Sequence, residues 1–226
     1  MNKHMLAQHI DAAILKPWLS RDEIAKLLTR AKELHVRCII VTPSLLEYAT
    51  SILGTEMCVG SVAGFPFGYS PIESKIKEVE EIIDKGAKEI DFVPNYQRLL
   101  IHNDVEYVFN EVRAVVEIAR TSNVVFKLIV EVPALPKDIV RKLVEIGVKV
   151  GIDYVKTSTG YAPRHTTVDD VLFLKYMLKE LGVADKIGIK AAGGIRNCRQ
   201  ALELLEAGAS IIGTSTPDQI LNSCNQ

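Results

Sequence analysis

Several features that mark whole classes of protein are missing from this sequence. No apolar run approaches the roughly 20 residues that a transmembrane helix needs, and Met1 to Met5 lead into polar sequence without the apolar stretch of a secretory signal. A basic excess is also missing, because 27 lysines and arginines face 28 aspartates and glutamates. Nucleic-acid and membrane-surface binders usually carry such an excess. We therefore expect a cytoplasmic protein with no nucleic-acid or membrane partner.

Signatures of metal sites and disulfides are scarce as well. The cysteines are Cys38, Cys58, Cys198 and Cys224. They form no C-x-x-C pair and have no histidines at zinc spacing, and in a reducing cytosol such cysteines are usually free thiols. The five histidines show no spacing that would gather several of them beside an acid. The sequence therefore predicts free thiols and no metal site.

The sequence does contain a regular alternation of short apolar runs and amphipathic segments. The runs are nearly continuous in apolar residues, which is typical of parallel strands covered by helices. They are 9–15, 37–42, 57–64, 89–93, 124–130, 152–156, 187–190 and 210–213. No linker divides the chain, and the G-x-G-x-x-G motif of many open doubly wound sheets is absent. We predict a single α/β domain spanning residues 1–226, folded as a (β/α)₈ TIM barrel with an extra short helix near the C-terminus.

Helix start and stop signals lie between the runs. Ser20 with Glu23, and Ser70 with Glu73, fit the S-x-x-E capping box. Helix caps are also expected at Thr167 and Asn197. Predicted helix ends are the glycines that follow amphipathic segments, which are Gly86, Gly147, Gly182 and Gly208.

Charged residues interrupt four of the apolar runs. Asp91, Lys127, Lys156 and Lys190 lie in or at the ends of runs where charge is normally depleted. A single buried lysine is more often a salt-bridged structural residue than a nucleophile. Four such residues on successive strands of a closed barrel would point at one axis, and catalytic groups of such barrels come from the strand ends. This pattern favours a catalytic site.

The chemistry of this set follows from the pKa of a lysine. A free lysine is protonated at neutral pH, but burial and a neighbouring cation both disfavour the ammonium form. Lys156, with Lys190 nearby, is therefore a candidate nucleophile that forms an imine with a carbonyl substrate. Asp91 is a candidate general acid/base, acting directly or through a water.

Glycine and hydroxyl residues follow the last two runs. Gly193 and Gly194 come after the seventh run. The segment Gly213-Thr214-Ser215 closes the eighth, and Pro217 fits the first position of a short helix. Barrels of this kind often bind phosphate with these loops and a short helix, because glycine lets backbone N–H groups approach closely. The sequence therefore predicts a phosphate site.

Five segments resemble one aldolase family. They are 64–68 (GFPFG), 89–95 (EIDFVPN), 127–131 (KLIVE), 153–160 (DYVKTSTG) and 188–196 (GIKAAGGIR). In this order they look like the segments of deoxyribose-phosphate aldolases. The resemblance implies a class I aldolase that reversibly cleaves 2-deoxy-D-ribose 5-phosphate to D-glyceraldehyde 3-phosphate and acetaldehyde through a lysine Schiff base, in deoxyribose phosphate catabolism. It implies no metal or organic cofactor, and a homo-oligomer, either a dimer or a tetramer.

The resemblance also implies roles residue by residue. Lys156 matches the Schiff-base lysine, Lys190 the second lysine that lowers its pKa, and Asp91 the acid of the proton transfer. Lys127 matches a lysine of the polar network beside the substrate pocket, and Cys38 matches a pocket cysteine of some members. The phosphate-binding positions match Gly160, Gly193, Gly194, Gly213 and Ser215, and Thr214 lies between the last two.

A few positions depart from the family pattern. Ala13 stands where many members have a threonine that contacts a sugar hydroxyl. Thr42 replaces an asparagine or tyrosine, and Tyr161 stands where some members have a lysine near the phosphate. Residues 223–226 include no tyrosine, which assists proton transfer in some relatives. Two alternatives stay open: a related Schiff-base aldolase acting on another phosphorylated aldehyde or ketone, and a non-catalytic sugar-phosphate-binding barrel.

Overall fold

Eight parallel strands alternate with helices and close into a barrel in chain order, with the eighth strand bonded to the first. The structure, a computed structural model, describes residues 1–225. The strands are β1 (Ile10–Ile14), β2 (Cys38–Val41), β3 (Val59–Ala63), β4 (Glu89–Phe92), β5 (Val125–Ile129), β6 (Tyr154–Lys156), β7 (Gly188–Ala192) and β8 (Ile211–Thr214). The helices are α1 (Lys3–Ala7), α2 (Arg21–Glu33), α3 (Leu46–Leu53), α4 (Ile72–Asp84), α5 (Tyr96–His102), α6 (Val105–Thr121), α7 (Lys137–Val150), α8 (Val168–Glu180), α9 (Cys198–Ala207) and α10 (Pro217–Asn222), with 3₁₀ turns at Pro43–Leu45 and Ser223–Asn225. The predicted (β/α)₈ barrel and its short helix after the last strand are confirmed.

The helices cover the barrel with one apolar face each. In α6 the buried apolar residues recur every three or four positions, which places them on one side of the helix. They are Val108, Val112, Val115, Val116 and Ala119. None of the helices in residues 1–225 is both long enough and apolar enough to span a membrane.

The strand register brings the charged residues of the apolar runs side by side. Asp91 of β4 is the partner of Lys127 on β5, and Lys156 of β6 is the partner of Lys190 on β7. All four side chains are buried. The barrel therefore collects in its interior the charges that are widely separated along the chain.

Most of the helix starts agree with the sequence signals, and one does not. Ser20 and Glu23 form the capping box at the start of α2, and Thr167 and Asn197 cap α8 and α9 through their side chains. Ser70 was expected to cap the next helix, and this was wrong. Pro71 has extended rather than helical backbone, so α4 begins only at Ile72 and has no side-chain cap.

Gly147 was expected to end a helix, and this was also wrong. It lies inside α7, which continues to Val150 and ends at Gly151 in the left-handed conformation. A β-carbon at Gly147 would stand 2.6 Å from Ile152 and 3.1 Å from Leu128. The glycine therefore serves the close packing of α7 on the barrel rather than helix termination.

The expectation of free thiols is overturned, because all four cysteines are paired. Cys38 bonds to Cys58, and Cys198 bonds to Cys224. The partners are 20 and 26 residues apart in sequence, but their Cα atoms lie only 4.6 and 5.1 Å apart, within the range that a disulfide requires. The barrel creates this proximity, since Cys38 opens β2 and Cys58 directly precedes the neighbouring β3.

Candidate active site

A cavity of about 620 Å³ opens where the carboxyl ends of the strands meet. In barrels of this kind the active site lies at this end. Nine of the residues predicted for the site line the cavity. They are Asp91, Lys156, Gly160, Lys190, Gly193, Gly194, Gly213, Thr214 and Ser215.

Asp91 lies at the centre of the charged groups beneath the cavity. The Nζ atoms of Lys156 and Lys190 each donate to its Oδ2 over 2.7 Å. Lys127 approaches its other carboxylate oxygen at 3.3 Å. The barrel therefore brings the acid and the three lysines predicted from the strand pattern into one contact group.

Three further charged residues extend this group, and they were missed at the sequence level. Asp11 of β1 contacts Lys190 at 2.6 Å and is completely buried. Arg37 bonds to both Asp11 and Glu89, and Glu89 also bonds to Lys127. Asp11 interrupts an apolar run in the same way as Asp91, so the same signal was available to find it.

The balance of charge in this network favours one neutral amine. Three carboxylates (Asp11, Glu89 and Asp91) face four basic groups, which are Arg37, Lys127, Lys156 and Lys190. A buried charge without a partner is costly, so the group is balanced when one of the lysines loses its proton.

Lys156 is the lysine whose surroundings favour proton loss. Burial lowers the pKa of Lys156 below its usual range; Asp91 opposes this shift, and the cation of Lys190 adds to it. The side chain is almost fully buried and lines the cavity, and the Phe65 ring centroid lies 5.8 Å from its Nζ atom. A neutral amine here is a nucleophile that is reachable from the cavity.

Asp91 and Lys127 stay ionised. Burial opposes the charge of Asp91, but Lys156, Lys190 and Lys127 outweigh it and hold the pKa of this carboxyl well below its usual range. Burial likewise opposes the charge of Lys127, but Asp91 and the other two carboxylates raise its pKa above the usual range. The charges of Asp91 and Lys127 both act on the pKa of Lys156.

The loops after β7 and β8 form the outer part of the cavity. Gly193 and Gly194 have positive φ values of 104° and 79°. A β-carbon on Gly194 would stand 2.1 Å from the His165 ring, so only glycine fits under this side chain. Thr214 donates to the Ile195 carbonyl and accepts from the backbone N–H of Thr216. The result is a polar turn beside the two glycines.

Cationic side chains at the outer cavity were not foreseen from the sequence. Lys16, Lys26 and Arg196 line it together with His165. An anionic group in the cavity would therefore meet positively charged side chains as well as polar backbone. Ala13 of β1 and Ile40 of β2 also line the cavity.

Two predicted pocket residues lie outside the cavity lining. Lys127 contacts Asp91 from below, so it belongs to the charged network. Cys38 opens β2, at the amino end of that strand, and is buried in its bond to Cys58. The cavity opens at the other end of the strands, where Ile40 is the β2 contribution, and we therefore leave Cys38 out of the site.

A group of three potential metal ligands occurs within residues 1–225 at Cys38, Cys58 and Glu89. The two sulfur atoms are already joined to each other, and Glu89 is bonded to Arg37 and Lys127. These atoms are therefore already engaged in other bonds.

Comparison with known proteins places the chain in one family. A family model described as "DeoC/LacD family aldolase" matches residues 2–217. The deoxyribose-phosphate aldolase of Thermococcus kodakarensis is 38% identical over 224 residues, which cover 98% of this chain and 97% of the relative. The enzyme of the same name from Aquifex aeolicus is 37% identical over 209 residues, 92% of this chain and 91% of the relative.

Solved structures agree with these sequence relatives. The aldolase QR15 superposes with a TM-score of 0.89 at 36% identity, covering 97% of this chain and 96% of that chain. The deoxyribose phosphate aldolase of Aeropyrum pernix, described as a unique tetramer, superposes with a TM-score of 0.88 at 32% identity, covering 100% and 93%. The similarity spans the barrel and both halves of the cavity. The chain belongs to the DeoC/LacD family of aldolases.

Proposed function

We propose that this protein is a class I deoxyribose-phosphate aldolase, a lyase that reversibly converts 2-deoxy-D-ribose 5-phosphate to D-glyceraldehyde 3-phosphate and acetaldehyde. The observation that carries the proposal is the placement of Asp91 between Lys156 and Lys190, each 2.7 Å away. This group lies beneath a cavity with glycine loops and cations at its outer end. The relatives from Thermococcus kodakarensis and Aquifex aeolicus are both named deoxyribose-phosphate aldolases.

In the proposed mechanism Lys156 is the nucleophile. Its neutral amine adds to the C1 aldehyde of the open-chain sugar, and loss of water gives a protonated imine. The hydroxyl on C3 gives up its proton, the C2–C3 bond breaks, and its electron pair moves toward the imine. Glyceraldehyde 3-phosphate leaves with C3 as its new aldehyde. The remaining enamine takes a proton at C2, and water releases acetaldehyde and restores Lys156.

Asp91 transfers the protons in these steps, directly or through a water. Three lysines hold the pKa of Asp91 well below its usual range. The carboxylate is therefore ionised and able to accept a proton when the C3 hydroxyl gives one up. The positive charge of Lys190 beside the nucleophile favours the neutral form of Lys156.

The phosphate of the substrate would bind at the outer end of the cavity. We propose that it contacts Gly160, Gly193, Gly194, Gly213, Thr214 and Ser215, all of which line the cavity. Arg196 is the nearest basic residue along the chain to the paired glycines, and it offers a charged partner. This placement leaves the aldehyde end of the sugar pointing toward Lys156.

A direct assay tests the proposed reaction. Purified protein given 2-deoxyribose 5-phosphate should release acetaldehyde and glyceraldehyde 3-phosphate in equal amounts, with activity retained in a chelator. Strong loss of activity with EDTA, or no acetaldehyde at all, would contradict the proposal. Replacement of Lys156 by arginine, which keeps the charge but forms no stable imine, supplies the inactive control.

A related aldolase with a different donor or acceptor is the second candidate. The observation that favours it is the apolar wall of Ala13, Leu15 and Ile40, which offers no side-chain hydroxyl to a sugar hydroxyl. Assays with acetaldehyde, hydroxyacetone and dihydroxyacetone as donors separate the two candidates. Preference for either ketone over acetaldehyde would favour the second.

We also propose that residues 1–226 act as one domain in a cytoplasmic homo-oligomer, a dimer or a tetramer. A sugar phosphate is a cytoplasmic metabolite, and the Aeropyrum relative is described as a tetramer. Disulfides are unusual in that compartment, although intracellular proteins of hyperthermophiles carry them. Sedimentation analysis of the purified protein gives the oligomeric state, and a monomer would contradict this part of the proposal.

A further inference from the structure

The segment that carries Lys156 is held along one side by the three residues that follow β5. The backbone N–H of Val130 donates to the Lys156 carbonyl over 2.9 Å, and that of Val132 donates to the Thr157 carbonyl over 2.8 Å. Glu131 lies between these two anchors, and its side chain bonds two residues farther along the same segment. Backbone N–H groups therefore anchor Lys156 and Thr157, whereas the Glu131 side chain anchors the turn that follows.

The Glu131 carboxylate holds Thr159 through three hydrogen-bond contacts. The backbone N–H of Thr159 donates to both carboxylate oxygens, at 3.1 and 3.3 Å, and its hydroxyl donates over 2.6 Å. The Glu131 side chain is buried, where hydrogen bonds to a charged acceptor are strong. The Thr159 hydroxyl in turn accepts from the backbone N–H of Tyr161 over 3.1 Å. This chain of bonds fixes the turn from Thr159 to Tyr161.

The backbone of Glu131 is itself unusual. Its φ value of 44° lies in the left-handed region, which side chains other than glycine rarely adopt. The other three such residues, His35, Asn103 and Asn123, lie at or just after helix ends, where this conformation is common. Glu131 instead follows a strand at the mouth of the barrel. Strain of this kind persists where the surrounding structure over-determines it, often at functional sites.

The turn that Glu131 holds faces the cavity. Thr159, Gly160 and Tyr161 all line it, and the Tyr161 ring meets the Phe65 ring edge to face at 5.8 Å. Lys156 does not depend on the carboxylate, because its carbonyl is bound by Val130 and the next residue is bound to the Lys190 carbonyl. Loss of the Glu131 carboxylate would therefore displace the outer wall and leave the nucleophile in place.

We propose that Glu131 is a positioning residue that sets the Thr159–Tyr161 turn, and with it the outer cavity wall where the phosphate of the substrate would bind. Gly160 lines the cavity in this turn, and its backbone N–H donates to the Ser158 hydroxyl over 3.0 Å. The inference rests on the proposed function, because it assigns Gly160 to phosphate binding. Its effect falls on recognition of the phosphorylated end of the substrate and spares imine formation at Lys156.

Three substitutions at this position separate the carboxylate from the backbone. E131A should raise KM for 2-deoxyribose 5-phosphate about 10- to 100-fold, the effect of losing a charge-assisted hydrogen bond. E131G, which suits the left-handed backbone but has no carboxylate, should show the same increase. E131Q should remain near the wild-type KM, because the amide oxygen still accepts from the Thr159 N–H. Borohydride trapping of acetaldehyde, which carries no phosphate, should proceed at close to the wild-type rate in all three.

The outcomes are distinguishable from one another. Parallel loss of trapping and of phosphate-dependent activity, an unchanged KM in E131A, or full recovery in E131G would overturn the proposal. Failure of the wild-type protein to cleave the sugar phosphate would instead reject the proposed function. If E131A does not fold, T159V serves in its place: it removes the hydroxyl between Glu131 and Tyr161 and keeps the side-chain shape. KM should rise in T159V without loss of trapping, and an unchanged KM would overturn the proposal.

Discussion

Asp91 lies among three lysines, and this environment decides how the site responds to a change of charge. The carboxylate favours the protonated form of Lys156, whereas Lys190 and Lys127 favour the neutral form. The pKa of Lys156 therefore depends on opposing effects of neighbouring charges. A single substitution can remove either the carboxylate or one of the cations, and the two kinds of substitution should shift this pKa in opposite directions.

Removal of the neighbouring cation should make the nucleophile harder to deprotonate. In K190M the pKa of Lys156 rises, so borohydride trapping of acetaldehyde should reach half its maximal rate at a higher pH than in wild type. K190R keeps the positive charge and should leave this pH unchanged. A profile in K190M that coincides with that of K190R would show that the charge of Lys190 does not tune Lys156.

Removal of the carboxylate should have the opposite effect on titration. In D91N the pKa of Lys156 falls further, so trapping should persist to lower pH than in wild type. Turnover should nevertheless drop about 100-fold or more, because the proton-transfer group is lost. The pH dependence of trapping and kcat are measured on the same preparation. A shift of the trapping profile to higher pH would contradict the described network.

The sequence identified most of the charged residues that lie inside apolar runs, but it missed Asp11 and Arg37. Asp91, Lys156 and Lys190 were identified because charge inside an apolar run needs a reason. Asp11 gives the same signal, but it stands on β1, far in sequence from the other charges. Arg37 sits at the start of its run, where charge is ordinary. Its bonds to Asp11 and Glu89 exist only because the closed barrel brings β1, β2 and β4 together.

At the scale of single elements, helix starts are set by local chemistry and by the backbone that precedes them. Thr167 caps α8 with its side chain and forms a reciprocal box with Asp170. Ser70 has the same sequence signature, but Pro71 stands extended between it and α4. The signature alone cannot distinguish these cases, because it does not report which residue takes the first helical φ and ψ. Gly147 gives a similar lesson, since its role depends on the packing of α7 against Leu128 and Ile152.

The two cap positions give a matched test. T167A should lower the free energy of unfolding by about 1 kcal/mol, the usual effect of losing an N-cap side chain. S70A should change it by less than about 0.5 kcal/mol, as surface substitutions away from such features do. Urea unfolding of the two variants and wild type measures both values. Equal losses in the two variants would contradict the helix start described for α4.

At the scale of the whole molecule, the apolar runs predicted the order and closure of the barrel, and they could not predict its cross-links. Cys38 and Cys58 are neighbours because β2 and β3 are adjacent strands, and Cys198 meets Cys224 because the C-terminal turn folds back onto α9. The spacing of the cysteines in the sequence predicts neither of these two contacts. The second link ties the C-terminal segment, which follows Ser215 and α10, to the helix that follows the Gly193–Gly194 loop.

The two cross-links should be detectable in the purified protein. Alkylation under denaturing conditions should modify no cysteine without reductant and all four after reduction. Reduction should also destabilise the fold. Breaking a disulfide that closes a loop of this length lowers the free energy of unfolding by about 3 kcal/mol. C198S measures the contribution of the second link alone, and C38S that of the first. Four modified cysteines before reduction would show that the thiols are free.

The central claim is that Lys156 is the amine that forms the imine, and borohydride reduction in the presence of acetaldehyde tests it most directly. Reduction converts the imine into a stable ethyl-lysine, and peptide mass mapping then locates it. We expect a single ethyl group on Lys156 in the wild-type protein and none in K156R. An adduct found only on Lys190, or no adduct in a correctly folded protein, would contradict the assignment.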